Sequence, residues 1–269
     1  MSAARFHDWI LQFPEGERLL ACRLLSALKI YDEEDVRSLW ASVFKQLPLP
    51  VKRDAVFIGL GHGAKSGRHN PYPFRQGISR LPEYESLYSE REAKIFPDIA
   101  EFNETSQYEK PSIIVFLDDI VGGGSQAVKY INNYFSNYDW LNNVDVYLGV
   151  MVAFRTGIEK VEKALKGKVT KVIAAQIFEE SDRAFSPNNP IWSTSEEANA
   201  AAEWAKRIGH EVLMGKEQYT PDQDALGWEG CQALVAFYYN VPNNTLPLFW
   251  SDGKCNGNEA WKPLIERFE

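Results

Sequence analysis

The stretch Ile113-Ile114-Val115-Phe116-Leu117-Asp118-Asp119-Ile120-Val121-Gly122-Gly123-Gly124-Ser125-Gln126 decides the reading of this chain. Residues 112–117 (SIIVFL) are almost continuously apolar, as a strand buried on both faces of a parallel sheet is. Two carboxylates follow at its carboxyl end, then three glycines, then polar residues able to open a helix. In open α/β sheets, ligands bind just beyond the carboxyl ends of the strands. Glycines give the backbone conformations closed to other residues, so successive N–H groups can converge on an anion. The helix N-terminus behind them adds its positive dipole end. A terminal phosphate fits that turn, at Gly122, Gly123, Gly124, Ser125 and Gln126. Asp118 and Asp119 repel a phosphate, but they accept hydrogen bonds from sugar hydroxyls one step away and can hold Mg²⁺ through water. A phosphate site beside hydroxyl acceptors at ribose spacing describes a 5-phosphoribosyl group. The structural alternative is a glycine-rich turn in which the acids act only as caps.

Working outward, strands are expected at 54–60, 144–154, 170–178 and 232–239, with helices near 126–136, 157–166 and 195–208. The helix at 157 carries a capping box, Thr156 with Glu159, and stops at Gly167. Such alternation predicts an α/β fold with a mostly parallel central sheet flanked by helices. The first fifty residues read differently. One helix is expected over 15–29. A second opens at Asp32, with Val36, Leu39, Trp40, Val43, Phe44 and Leu47 forming one apolar stripe. Pro48 and Pro50 end it. This gives an N-terminal helical extension, 1–50, ahead of a catalytic-type domain, 51–269. Pro71 and Pro73 mark 67–82 as a loop, and the last thirty residues read as irregular.

Composition narrows the function classes. The 269 residues are 45% apolar and 25% charged, the balance of a folded globular protein. The longest apolar runs fall far short of the ~20 residues that a membrane helix needs. The N-terminus MSAARFHDWILQF is broken by polar residues, so no signal peptide is expected and the cytoplasm is the default location. Cys22, Cys231 and Cys255 form no CxxC pair and read as reduced structural thiols. A net charge of −8 disfavours a broad direct nucleic-acid surface. Against that background, residues 52–80 hold Lys52, Arg53, Lys65, Arg68, Arg75 and Arg80 with the single acid Asp54. A local basic segment in an acidic chain suggests a bound anion; a solvated basic loop is the plainer reading.

That segment contains a second glycine turn. The strand 54–60 leads into Gly61-His62-Gly63-Ala64-Lys65-Ser66-Gly67. Its amides, with Lys65 and Arg68, suit a pyrophosphate. GLGHGAKS at 59–66 also nearly matches the nucleotide-binding pattern GxxxxGK followed by S or T, with Ala64 replacing the last glycine. That pattern must run straight into a helix, and Gly67, Pro71 and Pro73 argue against one, so a P-loop NTPase is the weaker alternative. Arg155, after the third strand, and Asp182 and Arg183, after the fourth, are further candidates for reading a substrate.

The stretch 113–126 resembles the signature of type I phosphoribosyltransferases: an apolar strand, two acids and a small-residue phosphate loop. GLGHGAKSG sits where that family places its pyrophosphate loop. The resemblance implies that Asp118 and Asp119 orient the ribose of 5-phosphoribosyl 1-diphosphate (PRPP), with Mg²⁺ as cofactor and Lys65 assisting catalysis. Gly61, His62, Gly63, Ala64, Ser66 and Arg68 would bind the pyrophosphate. The chain departs from the family at Gly123 and Gln126, where Thr or Ser is usual, and at Gly122, where some members carry a general base. Those departures favour PRPP or nucleotide binding over ordinary base salvage, and they leave a catalytically degenerate sensor or assembly module as the second reading. Together with SDRAFS and VPNNTLPLFW, the motifs resemble the phosphoribosyltransferase-like branch of bacterial conflict and anti-phage systems, including retron-associated effectors. That likeness implies a toxic effector restrained by a protein or nucleoprotein partner.

Overall fold

The computed structural model describes residues 3–61, 66–89, 92–105, 110–255 and 259–267. Its strands, in chain order, are β1 (Lys29–Tyr31), β2 (Val56–Gly59), β3 (Lys94–Phe96), β4 (Ile113–Val121), β5 (Asp145–Phe154), β6 (Lys171–Phe178), β7 (Val235–Phe237), β8 (Gly253–Cys255) and β9 (Glu259–Trp261). The chain divides into two units, residues 32–178 and residues 1–31 with 179–268.

The unit 32–178 is built on a five-stranded sheet of order β3-β2-β4-β5-β6. All its neighbouring strands are parallel. β4 lies at the centre, with Val115 opposite Phe57 of β2 and Tyr147 of β5. From Ile114 to Val121 every residue of β4 is buried, which is why its sequence shows no polar alternation until the acids. On one face, Ile131, Tyr134 and Phe135 of the helix Ser125–Asn137 and Val161 of the helix Arg155–Ala164 pack with Phe116, Val146 and Leu148. The helix Glu33–Gln46 lies against β5 and β6 and against the helix Pro71–Ile78. Its start is fixed by a capping box, in which Asp32 accepts from the Asp35 amide and Asp35 accepts from the Asp32 amide. Trp40, Phe44, Phe57 and Phe74 form an aromatic cluster in this unit.

The unit 1–31 with 179–268 has a separate core. The helix Ser195–Leu213, capped by Thr194 on the Glu197 amide at 3.1 Å, packs with Trp9, Phe13, Phe249 and Trp261. β1 and β7 pair in parallel, and β8 and β9 form an antiparallel hairpin. None of the three cysteines forms a disulfide, and burial pushes the Cys231 thiol up to about 11, out of the reactive range. No helix among the described residues is long and apolar enough to cross a membrane.

Several local expectations are corrected. Prolines 71 and 73 do not exclude helix: they occupy the first turn of the helix Pro71–Ile78, where a missing N–H costs nothing, while the helix Glu33–Gln46 ends before Pro48 as expected. The segment 232–239 does not join the central sheet. It supplies only the short β7, paired with β1. The fifth central strand is instead β3, whose three residues carry too little pattern to read. The helix Glu33–Gln46, expected in an N-terminal extension with its predecessor, packs on the sheet. Strand β4 also runs four residues further than its apolar run, so both acids lie inside it.

Candidate functional site

At the carboxyl end of β4, Asp118 is 9% exposed and Asp119 is 4% exposed. Each carboxylate turns back on the chain. Asp118 Oδ1 accepts from the Asp119 amide at 3.0 Å, and Asp119 Oδ1 accepts from the Ile120 amide at 2.9 Å. Burial, then the neighbouring Asp119 charge and a hydrogen bond shared with it, raise the pKa of Asp118 well above the ordinary carboxylate range. The Asp118 charge also acts on Tyr130 and Tyr134 of the following helix, and burial raises both phenols.

The turn after the acids is set by close backbone packing. Gly124 sits at φ +82° as the N-cap of the helix Ser125–Asn137. A Cβ there would lie 2.7 Å from the Gly157 carbonyl, and a Cβ on Gly157 would lie 2.1 Å from the Gly122 carbonyl. Gly157 belongs to the helix Arg155–Ala164, so two helix N-termini converge where β4 and β5 end. Val128 N–H closes the first helical turn on the Gly124 carbonyl at 3.0 Å. Gly122 and Gly124 are buried, while Gly123, Ser125 and Gln126 are half-buried and accessible to a ligand. Lys160 donates from Nζ to Ser125 Oγ. The site thus combines hydroxyl acceptors, an exposed ammonium and the positive end of a helix, the requirements for a sugar phosphate.

The remaining candidates are distributed as follows. Gly61 is buried directly after β2, and Tyr134 grips it through both main-chain groups. His62, Gly63, Ala64 and Lys65 lie outside the described residues. Ser66 opens a single helical turn, Ser66–His69, so the glycine turn does not pass straight into an α-helix. Arg68 Nε pairs with the buried Asp98 at 2.9 Å. Arg155 begins the helix after β5. Asp182 and Arg183 belong to the other unit, where both are engaged locally. Asp182 accepts from the Glu179 amide at 2.8 Å, and Arg183 reaches the Cys231 carbonyl at 2.6 Å and Glu180 at 2.7 Å.

The basic segment 52–80 loses its apparent excess in three dimensions. Lys52 pairs with Glu83, Arg53 with Asp54, Arg68 with Asp98, Arg75 with Glu92 and Arg80 with Glu34. Four of those five acids come from outside the segment, which is why counting charge along the chain overstates the local field. Two residues at the site have no readable motif. Lys160 is one of several lysines on an amphipathic helix, and Tyr134 reads as ordinary core. The only sequence signal for either is helical periodicity placing it near a loop.

Among the described residues no group of three or more His, Cys, Asp or Glu is positioned to hold a metal. The donors present at the site are the carboxylates of Asp118 and Asp119. They are hard oxygen ligands, and Mg²⁺ is commonly bound by one or two carboxylates together with water and substrate phosphates.

Two measurements test this geometry. The raised pKa means that, between the ordinary aspartate value and the higher folded one, the folded chain keeps a proton that the unfolded chain has lost. Stability therefore falls as pH rises through that window. Asp118→Asn removes the titration. Its melting temperature should match that of the parent near about pH 4 and exceed it by several degrees near about pH 8, as read by calorimetry. Gly157→Ala forces a methyl onto the Gly122 carbonyl and should cost about 1–3 kcal/mol in urea unfolding. Gly16→Ala, where a methyl meets nothing within 4 Å, should leave the midpoint in place.

No curated protein sequence matches the chain. Among solved structures it is similar to an orotate phosphoribosyltransferase from Aeropyrum pernix, with 16% identity, covering 61% of this chain and 78% of that one at a TM-score of 0.34. It is also similar to the AQ2163 protein from Aquifex aeolicus, with 11% identity, covering 66% of this chain and 86% of that one at a TM-score of 0.34. The profile of the PRTase-CE family matches residues 6–267, nearly the whole length, and the chain belongs to that phosphoribosyltransferase-like family.

Proposed function

We propose that the protein binds PRPP, or a nucleotide related to it, and acts at the anomeric carbon of its ribose. The observation that carries this reading is the buried pair Asp118 and Asp119 opening directly into the Gly122–Gln126 turn, with Lys160 above Ser125. Membership of the PRTase-CE family supports it. The turn and Lys160 take the terminal phosphate, and the two acids accept from the ribose hydroxyls. The bond from the anomeric carbon to the diphosphate oxygen breaks, and its electron pair leaves with the diphosphate. An acceptor then bonds to that carbon and gives up its proton to the departing diphosphate. Positive charge develops on the sugar next to the acids, and fixed electrostatics of this kind contribute most where they meet charge formed in the transition state. Mg²⁺, held through water by Asp118 and Asp119, would neutralise the departing diphosphate. Gly61 through Lys65 and Arg68 are the proposed diphosphate ligands, with Lys65 as a catalytic group.

Gly122 stands where some relatives carry an acid, and this favours, as a second reading, a module that binds the ligand without turning it over. A role as a toxic effector in anti-phage defence, held in check by a protein or nucleoprotein partner, rests on the motif likeness alone.

Calorimetry with PRPP and Mg²⁺, followed by diphosphate release in the presence of pooled nucleobases and RNA, tests the proposal. Binding with release supports the enzyme, binding without release supports the sensor, and no binding removes both. Asp119→Asn should lower release by about 10²–10³-fold with the fold intact by circular dichroism; full activity would remove its assigned role. Lys160→Met should weaken ribose 5-phosphate binding by about tenfold, the ~1.4 kcal/mol scale of one charge-assisted contact. An unchanged affinity would exclude Lys160 from the phosphate site.

A further inference from the structure

The helices Ser125–Asn137 and Arg155–Ala164 carry a charge pattern unlike the rest of the chain. Residues 125–137 and 155–168 hold six bases against two acids, in a protein of net charge −8. Helical spacing sets Ser125, Lys129 and Asn132 on one side of the first helix. Lys160 and Lys163 share a side of the second, and Lys166 and Lys168 follow in the turn that ends it. Two contacts join these rows. Lys160 donates from Nζ to Ser125 Oγ, and Lys168 Nζ donates to Asn132 Oδ1 at 2.7 Å. Ser125 and Asn132 lie two helical turns apart, about 10 Å, with Lys129 between them. Lys129, Lys160, Lys163 and Lys166 are exposed and Lys168 is half-buried. None of the five forms an ion pair with another described residue. Glu162 turns instead to the Val172 amide, from which it accepts at 3.3 Å. The described bases of the segment 52–80, by contrast, are each matched by an acid.

The chemistry of this face selects its partner. None of the strongly exposed large apolar side chains among the described residues belongs to either helix. A protein partner calls for an apolar or aromatic centre, and a membrane surface calls for an apolar face to sink into it. Single strands are held by bases stacked on aromatic rings as well as by charge. A duplex hides its bases and offers phosphates. Ammonium groups interleaved with hydroxyl and amide side chains make phosphate and sugar contacts, which carry no sequence information. We propose that the face built from Lys129, Lys160, Lys163, Lys166 and Lys168 binds the phosphate backbone of a nucleic-acid duplex, without regard to sequence. Binding of this kind needs no PRPP.

Fluorescence anisotropy of the full chain with labelled DNA and RNA duplexes of about 20 base pairs tests it. A duplex should bind at about 50 mM salt, and log affinity should fall with log salt at a slope of about −3 to −4. The triple variant Lys129→Ala, Lys163→Ala, Lys166→Ala should weaken binding at least about tenfold and flatten the slope by about 2, with the fold intact by circular dichroism. Replacing the same three lysines by arginine should retain affinity. Arg53→Ala, Arg75→Ala, Arg80→Ala changes net charge equally at ion-paired sites, and should leave affinity within about twofold. Binding to neither duplex overturns the proposal, as does an affinity indifferent to salt. An equal loss in the two alanine triples assigns the effect to net charge and overturns the face. Tighter binding of a single strand of the same length, or stronger competition by polyglutamate or anionic vesicles at equal charge, overturns the duplex as the partner.

Discussion

Two neighbouring carboxyl groups buried at the end of the central strand are the constraint to which the rest of the sheet unit answers. An isolated buried carboxylate is expensive. Here the cost is limited by local means: each carboxylate takes the next amide, and burial together with the neighbouring charge raises the pKa of Asp118. Such an arrangement contributes little to stability, because burial and like charge both oppose ionisation.

The turn beside the acids obeys a second constraint, which is steric. Gly124 lies too close to the Gly157 carbonyl, and Gly157 too close to the Gly122 carbonyl, for either to carry a side chain. That approach brings the start of the Arg155 helix against the turn after β4 and lets Lys160 reach Ser125. Three consecutive glycines read naturally as an anion cradle. In the folded chain they are also a packing device, and the accessible part of the turn reduces to Gly123, Ser125 and Gln126. The two roles are compatible, because a rigid turn presents its amides without an ordering cost on binding.

Charge shows how far local counting misleads. The run from Lys52 to Arg80 reads as a basic patch, yet its described cations each face an acid. Paired surface ions contribute little to stability, but they cancel the long-range field that a run of six bases suggests.

The sequence by itself determined the strands with long apolar runs, β4, β5 and β6, the helices with caps and clear periodicity, and the acid–glycine junction on which the site is built. Those features are local: burial on both faces, an N-cap such as Asp32 and a glycine turn each leave their mark within a dozen residues, whereas Thr156, read as half of a capping box, lies inside the helix Arg155–Ala164, whose N-cap is Phe154 with no side-chain hydrogen bond. Tertiary structure alone decided that β3 rather than the segment 232–239 completes the central sheet. It also decided that prolines 71 and 73 start a helix, that Tyr134 holds Gly61, and that Lys160 reaches Ser125. Each of these depends on partners brought together from distant parts of the chain, and a single residue whose partner lies 35 or 73 positions away carries no periodic pattern of its own.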